Sequence, residues 1–546
     1  MSDKKKSFLG GAAILAVAGL ICKIIGAVYK IPLRNMIGEE AMGIYTTVYP
    51  IYTFLLVFST SGIPTAISKL VAEERSKGNF SGAHKVFLTS LKLLLLIGGI
   101  TTLLMFLGAP LIADVLRINS AMPIMAIAFS LLFVSLLSAY RGYYQGMQNM
   151  VPTAVTQLIE QIIKLIAGFY FAFTWGKNDP SMAAVGALFG ITLSELAAFL
   201  TILFTYHKNK KNFLTFTDKT SKVQGISKRL LTIAIPMTIG GAIKPLVDAI
   251  DSVMARSILE NSNIFSIEYI DVLWAFLKSD CGTLINMPSV LTVALSMALV
   301  PAISEALTAS GSTNEVKKIS STGIKLSIVI GLPCTVGLFA LAKEILSLLY
   351  VYVDKWHGDM FVTGVHKLET AGNFMMVLAV GVLLLSIIQT TAGILQGIGK
   401  VTLPVINLAI GMAVKILMNI LLIPVPSLNI YAVPIGTVTC YSIAALLDIF
   451  AVAKYAKTKI SFSELLRPIG AASLMAIVIY ILKMLLDTSG SRLVTVVIIG
   501  IAAIVYFIGL GIFSVFDETD IEFMPGGRKL RKLLEKMGVK IRPSQE

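Results

Sequence analysis

Lys23, Lys30, Lys164, Lys244 and Lys415 each fall well inside a run of about twenty apolar residues. At the centre of a bilayer a lysine costs about 2.5–3.5 kcal/mol on insertion scales, so the set would cost on the order of 10 kcal/mol facing lipid. Each must therefore meet water, an anion or an acid. Lys23 and Lys30 are seven apart, share one helical face and make a cationic stripe. Arg34 extends it to the outer surface, and no acid follows until Glu39-Glu40. Surplus positive charge in a hollow selects an anion. Ammonium and guanidinium groups offer charge and donors together, which suits phosphate best. Charge alone thus points to a phosphorylated amphiphile or an organic anion.

Other buried charges have nearer explanations. Glu160 and Lys164 are four apart on one face and are expected to neutralise each other. Lys92, Lys325 and Arg141 lie near cytoplasmic span ends, where long cations snorkel, and receive no role. Lys244 precedes Pro245, which distorts a helix and frees carbonyls. Asp248 follows at pairing distance and Asp251 one turn on. The segment reads as part of a cation-responsive gate, with a silent Lys244–Asp248 salt bridge as the plain alternative. Glu195 is alone in sequence, and is either protonated or paired with Lys164.

The elements that must hold these residues are membrane helices. The chain has 546 residues, 56% hydrophobic and 14% charged, too much apolar surface for a soluble domain of this length. The expected fold is an all-α polytopic membrane protein with about fourteen transmembrane helices. Their cores lie near 8–33, 44–70, 87–109, 121–141, 151–175, 181–206, 231–258, 284–303, 320–348, 371–395, 403–423, 431–453, 468–486 and 492–516. The start has the charge and apolar run of a secretory signal, but Lys23 interrupts it and no cleavage site follows, so an uncleaved first span is expected.

Part of the chain is duplicated. Gln145-Gly146 precedes Lys164 by the same distance as Gln396-Gly397 precedes Lys415, with Pro152 and Pro404 between. Pro64-Thr-Ala-Ile-Ser68 matches Pro301-Ala-Ile-Ser304, and Thr89, Lys92 and Gly98 match Thr322, Lys325 and Gly331. Repeated helix bundles are how many secondary transporters are built. The expected organisation is an N-terminal lobe over 1–230, a C-terminal lobe over 231–455, two further spans over 456–520 and a basic tail over 521–546. The basic loop 207–229 parts the two six-helix lobes. Lysine and arginine collect in 207–229, 454–467 and 528–542, on the same face as Lys4-Lys5-Lys6, so both termini are expected in the cytoplasm. The amphipathic tail is expected on the anionic inner leaflet.

The net charge of +15 resides in these loops without aromatic interleaving, which excludes nucleic acid as a partner. Cys22, Cys281, Cys334 and Cys440 stand singly and read as small buried hydrophobes. Gly393 to Lys400 lacks the phosphate-loop spacing, and Val401 replaces the required hydroxyl. There is no His-Glu-x-x-His. His84, His207, His357 and His366 sit in loops or near span ends. No enzyme, no ATP-driven pump and no cofactor is expected.

Gly19-Leu-Ile-Cys-Lys-Ile-Ile-Gly26, running on to Arg34-Asn-Met-Ile-Gly38, and Asn286 to Ser304 resemble the multidrug/oligosaccharidyl-lipid/polysaccharide exporter superfamily, especially its MurJ-type lipid II flippases and SpoVB-like polysaccharide-biosynthesis proteins. The resemblance implies two lobes in a V around a cationic cavity lined by spans 1, 2, 7 and 8, with the last two spans forming a lipid-tail groove. It makes Lys23 the first diphosphate contact. Gly282-Thr283 stand where relatives often carry an arginine, so Lys30, Arg34 or Lys244 substitute. It also implies sodium between spans 7 and 11, at Asp248 with Asn407 or Asn419. Lys415 stands in that span and can replace the ion, which leaves sodium or a proton as candidate coupling ion. The implied role is a secondary-type flippase for an undecaprenyl-diphosphate-linked saccharide such as lipid II, acting in the bacterial cytoplasmic membrane beside cell-wall synthesis enzymes. The competing readings are a cation-coupled drug antiporter of the same superfamily and a non-transporting membrane scaffold.

Overall fold

The computed structural model describes residues 3–177, 179–214, 225–262, 264–309, 313–458, 462–486 and 491–517. The basic tail 521–546 and the 215–224 part of the basic loop lie outside the described residues. The described chain is almost wholly helical, and its packing resolves it into two units, Met1–Ser279 and Asp280–Glu546.

The first unit comprises α1 (Asp3–Thr60), α2 (Gly62–Ser76), α3 (Phe80–Leu107), α4 (Ala109–Leu116), α5 (Met122–Ala128), α6 (Ser130–Gly146), α7 (Val151–Trp175), α8 (Pro180–Leu214), α9 (Ile226–Asn261) and α10 (Ile267–Ala275). Among the described residues, thirteen stretches are long and apolar enough to cross a membrane. The first, Val17–Ser76, holds 60 residues, about 90 Å of helix against a hydrocarbon core of about 30 Å. Gly38, at φ 83°, breaks it, a conformation that costs glycine nothing. This stretch therefore holds two crossings, which agrees with the fourteen expected.

The second unit comprises α11 (Gly282–Ala309), α12 (Thr313–Ala340), α13 (Ala342–Leu349), strands β1 (Lys355–His357) and β2 (Met360–Val362), α14 (Gly364–Gly397), α15 (Thr402–Leu422), α16 (Ala432–Tyr455), α17 (Phe462–Leu485) and α18 (Arg492–Ile512). A short 3-10 turn, Asn429–Tyr431, precedes α16.

The duplication seen in sequence recurs as packing inside each unit. A methyl group on Gly98 of α3 would come within 2.6 Å of Ser135 on α6, and one on Gly331 of α12 within 2.9 Å of Ser386 on α14. Gly146 likewise lies against Val71 of α2, and Gly397 against Ile303 of α11. In both units a small residue brings the same pair of helices close enough for dispersion contacts to replace a hydrophobic driving force that lipid does not supply.

Two expectations require correction. The segment 207–229 is not all loop, because α8 runs to Leu214. Packing divides the chain at Ser279 rather than at that loop, because α9 packs on α1 and α2. The connections 259–280 and 350–370 are also structured. Ile267–Ala275 is helical, capped by the Ser266 side chain accepting from Tyr269 N–H, and 355–362 is an antiparallel hairpin pairing Trp356 with Phe361. Gly358 at φ 58° makes its two-residue turn.

Candidate functional site

In the first unit the cations follow the stripe of α1. Lys23 is exposed, Lys30 half-buried and Lys244 of α9 exposed. Among the described residues none of the three meets a carboxylate within ion-pair distance. Lys30 lies close enough to Lys164 of α7 and to Lys244 for the charges to repel one another. Lys164 carries its ammonium 5.9 Å from the ring centre of Tyr29 and 5.8 Å from that of Tyr49. Aromatic faces of this kind offset part of the cost of a desolvated cation. Three helices therefore gather like charges, none in salt-bridge contact with an acid among the described residues, with Glu160 and Glu195 acting on Lys164 only from further off.

Arg34 behaves differently from the expectation. It is 2% exposed and its Nη2 donates to Glu39 Oε1 at 3.2 Å. The break at Gly38 turns the chain so that an acid five residues on comes back beside the guanidinium. Arg34 is thus a neutralised cation, not part of the unpaired stripe.

Glu160 also takes an unexpected partner. Its Oε2 accepts from Arg141 Nη2 at 3.0 Å, while Arg141 Nε donates to Thr156 Oγ1 at 3.1 Å. Arg141 of α6 does not snorkel but reaches across to α7, so Glu160 pairs directly with Arg141 and acts on Lys164 only from a distance. Glu195 of α8 is buried and makes no ion pair with Lys164. Lys325 likewise pairs with Asp517 at 3.5 Å.

In α9, Asp248 is half-buried and forms no salt bridge with Lys244. Asp251 is buried and accepts from Lys278 Nζ at 2.7 Å, with that ammonium 5.1 Å from the ring centre of Trp274. Sequence reading gave Lys278 no part, because it lies beyond the span that carries Asp251. Arg256 was missed as well. It is buried, and it donates to Asp271 Oδ1 at 2.6 Å and to the carbonyls of Leu116 and Arg117 at 2.9 Å each. One guanidinium thereby closes the carbonyl end of α4 and ties it to α9 and α10.

In the second unit, Asn407 and Asn419 of α15 are buried, as is Lys415. Asn407 Nδ2 donates to Asp448 Oδ1 of α16 at 2.8 Å. A methyl on Gly436 would meet Asn419 Oδ1 at 2.7 Å and Lys415 Cγ at 3.3 Å, so that glycine makes room for both. Asn407, implied as a sodium ligand, presents its N–H₂ to an acid, and a buried ammonium occupies the same helix. That donor set does not fit a sodium ion, and no step is derived through one.

The second unit also holds a groove of about 520 Å³ between α11, α12, α17 and α18. Leu291, Pro333, Gly337, Ile479, Ala503 and Phe507 are among its lining residues, and nearly all of its surface is apolar. Such a groove suits an alkyl or prenyl chain.

A family model described as polysaccharide biosynthesis protein matches residues 8–307, and a MatE model matches residues 281–421. The uncharacterized membrane protein YabM of Bacillus subtilis is 27% identical over 542 residues, covering 96% of each chain. Stage V sporulation protein B of the same organism is 26% identical over 526 residues, covering 95% of this chain and 98% of that one. The B. subtilis lipid II flippase MurJ is 27% identical over 443 residues, 78% of each. Among solved structures, lipid II flippase MurJ in an inward closed conformation superposes with a TM-score of 0.69 at 15% identity, covering 92% of this chain and 98% of that one. An inward-facing multidrug resistance MATE family transporter of the MOP superfamily gives 0.64 at 15% identity, with 82% and 99% covered.

Proposed function

Because the chain belongs to the polysaccharide biosynthesis protein family, we propose that it is a flippase carrying a lipid-linked saccharide diphosphate between membrane leaflets. The observation that carries this reading is the gathering of Lys30, Lys164 and Lys244 with no carboxylate in salt-bridge contact with any of them among the described residues. Such a cluster is stable only with water or an anion against it, and a diphosphate supplies both charge and several acceptor oxygens. Lys23, one face along the same helix, is the first contact for an arriving headgroup, and Lys30, Lys164 and Lys244 hold it further in. Arg34, held by Glu39, positions the outer end of α1 and does not bind. The apolar groove of the second unit takes the prenyl tail, so only the polar head has to leave lipid.

In this reading the substrate is undecaprenyl-diphosphate-linked, with lipid II as the leading saccharide, and movement runs from inner to outer leaflet by alternating access of two lobes. Both termini face the cytoplasm, as the positive loops predict. Membrane potential returns the empty carrier, since a charge crossing the full field is worth about 2.3 kcal/mol per 100 mV. Asp248 and Asp251 belong to the moving element α9, and the Asp251–Lys278 pair is the contact that must open or travel with it.

The MatE match favours a second reading, a cation-coupled drug antiporter. A cationic substrate requires an acidic lining, which the Lys30–Lys164–Lys244 group opposes. Purified protein tested against lipid diphosphates and cationic dyes separates the two. Saturable binding of the diphosphate alone supports the flippase, and binding of the dye alone refutes it.

A further inference from the structure

Asp448 of α16 is 0% exposed and forms no salt bridge among the described residues. Its Oδ1 accepts from Asn407 Nδ2 at 2.8 Å, and its Oδ2 lies 3.3 Å from Thr391 Oγ1 of α14. A threonine hydroxyl owns one hydrogen. Thr391 Oγ1 is 2.8 Å from Ile387 O and 3.1 Å from Ile388 O, so two backbone carbonyls compete with Asp448 Oδ2 for that one hydrogen. When the hydroxyl turns to the backbone, a lone pair faces Asp448 Oδ2. In that rotamer the contact is a hydrogen bond only if the carboxyl itself is the donor. With no cation in contact, a fully buried carboxyl held by two neutral groups favours its protonated form.

The first unit contains the same chemistry with a permanent donor. Thr156 Oγ1 gives its hydrogen to Thr153 O at 2.9 Å and accepts from Arg141 Nε at 3.1 Å. In the second unit no cation performs that part. On the elements packed against α16, the charged and titratable groups are His366, Lys367 and Glu369 at the opposite end of α14, Lys415 two turns beyond Asn407 on α15, and Tyr431 in the 3-10 turn. On α16 itself stand Cys440, Tyr441, Lys454 and Tyr455, with Lys454 exposed. None of them acts on Asp448, whose polar neighbours are Asn407 and Thr391.

We propose that Asp448 is a proton-binding site, its carboxyl O–H donating to the Thr391 hydroxyl while Asn407 holds the carbonyl oxygen. The proton joins α14, α15 and α16 in one neutral hydrogen-bonded seam. Its loss leaves a buried anion held by two neutral donors and no cation, a state that burial disfavours. A role for that proton in driving transport rests on the flippase reading above, whereas the site itself does not.

The test is infrared difference spectroscopy on the full-length protein in lipid nanodiscs, wild type against Asp448→Asn, across a pH series. The expected result is a protonated-carboxyl carbonyl band at neutral pH that the variant lacks. Thr391→Val keeps the side-chain shape but removes the acceptor, and should move that band toward the position of a free acid. Two results overturn the proposal: a carboxylate signal for Asp448 at neutral pH, or a signal that answers to added sodium instead of pH. If Asp448→Asn does not fold, the Thr391→Val shift decides the question alone. No substrate enters the measurement, so its failure leaves the flippase reading untouched, and loss of translocation would leave the proton in place.

Discussion

Arg141 on α6 and Glu160 on α7 hold each other at 3.0 Å, and that single pairing decides the electrostatics of the first unit. It satisfies the acid that stands one turn before Lys164 and so leaves the lysine without a direct salt bridge. Breaking the pair from either side should destabilise the protein by about 3–5 kcal/mol if it behaves as a buried ion pair, and less in proportion to its partial exposure. Thermal unfolding in detergent of Arg141→Met, Glu160→Gln and the double variant should show the double less destabilised than the sum of the singles. Additive losses would mean the two side chains do not interact.

Lys164→Met removes one of the two charges that repel Lys30. The empty protein should become more heat-stable, while affinity for a lipid diphosphate falls about tenfold to a hundredfold, the value of a charge-assisted hydrogen bond of about 1.5–3 kcal/mol. Melting curves with and without the lipid measure both effects. A variant that loses stability without ligand would show that Lys164 is structural.

Arg34→Ala and Glu39→Gln should behave alike. Each breaks a buried ion pair and should cost about 3–5 kcal/mol of stability. If Arg34 were a headgroup ligand, Glu39→Gln would leave binding intact while Arg34→Ala abolished it, a difference that a lipid-binding assay reads directly.

Gly337 lines the apolar groove, and a methyl there would meet Met475 Cε at an ordinary 3.6 Å. Gly337→Phe should therefore fold and fill the groove. Transport of a long-prenyl substrate should fall, and transport of a short-chain analogue should not. Equal loss for both would mean that the groove does not hold the tail.

The sequence made the spans and their repeat visible because both depend on periodic, local patterns. Gly98 with Gly331 and Gly146 with Gly397 were recognisable as pairs before their packing was known. The partners of the charges were less legible. Spacing along one helix suggested Glu160 with Lys164, but the true partner of Glu160 is Arg141 on a neighbouring helix. The Arg34–Glu39 bond depends on the backbone turn at Gly38, which a helical reading of the span conceals. Asp448 drew no notice because its partners, Asn407 and Thr391, are neutral and far away in sequence. Arg256 was hidden within an apolar span, where only its carbonyl and Asp271 contacts reveal its structural work.

The central claim is that the cations of α1, with Lys164 and Lys244, receive a lipid diphosphate. Translocation of an undecaprenyl-diphosphate-linked saccharide in proteoliposomes, comparing wild type with Lys23→Ala and Lys30→Ala at equal amounts of folded protein, tests it most directly. The account predicts translocation by the wild type and its loss in both variants. Undiminished translocation by the two variants would contradict it.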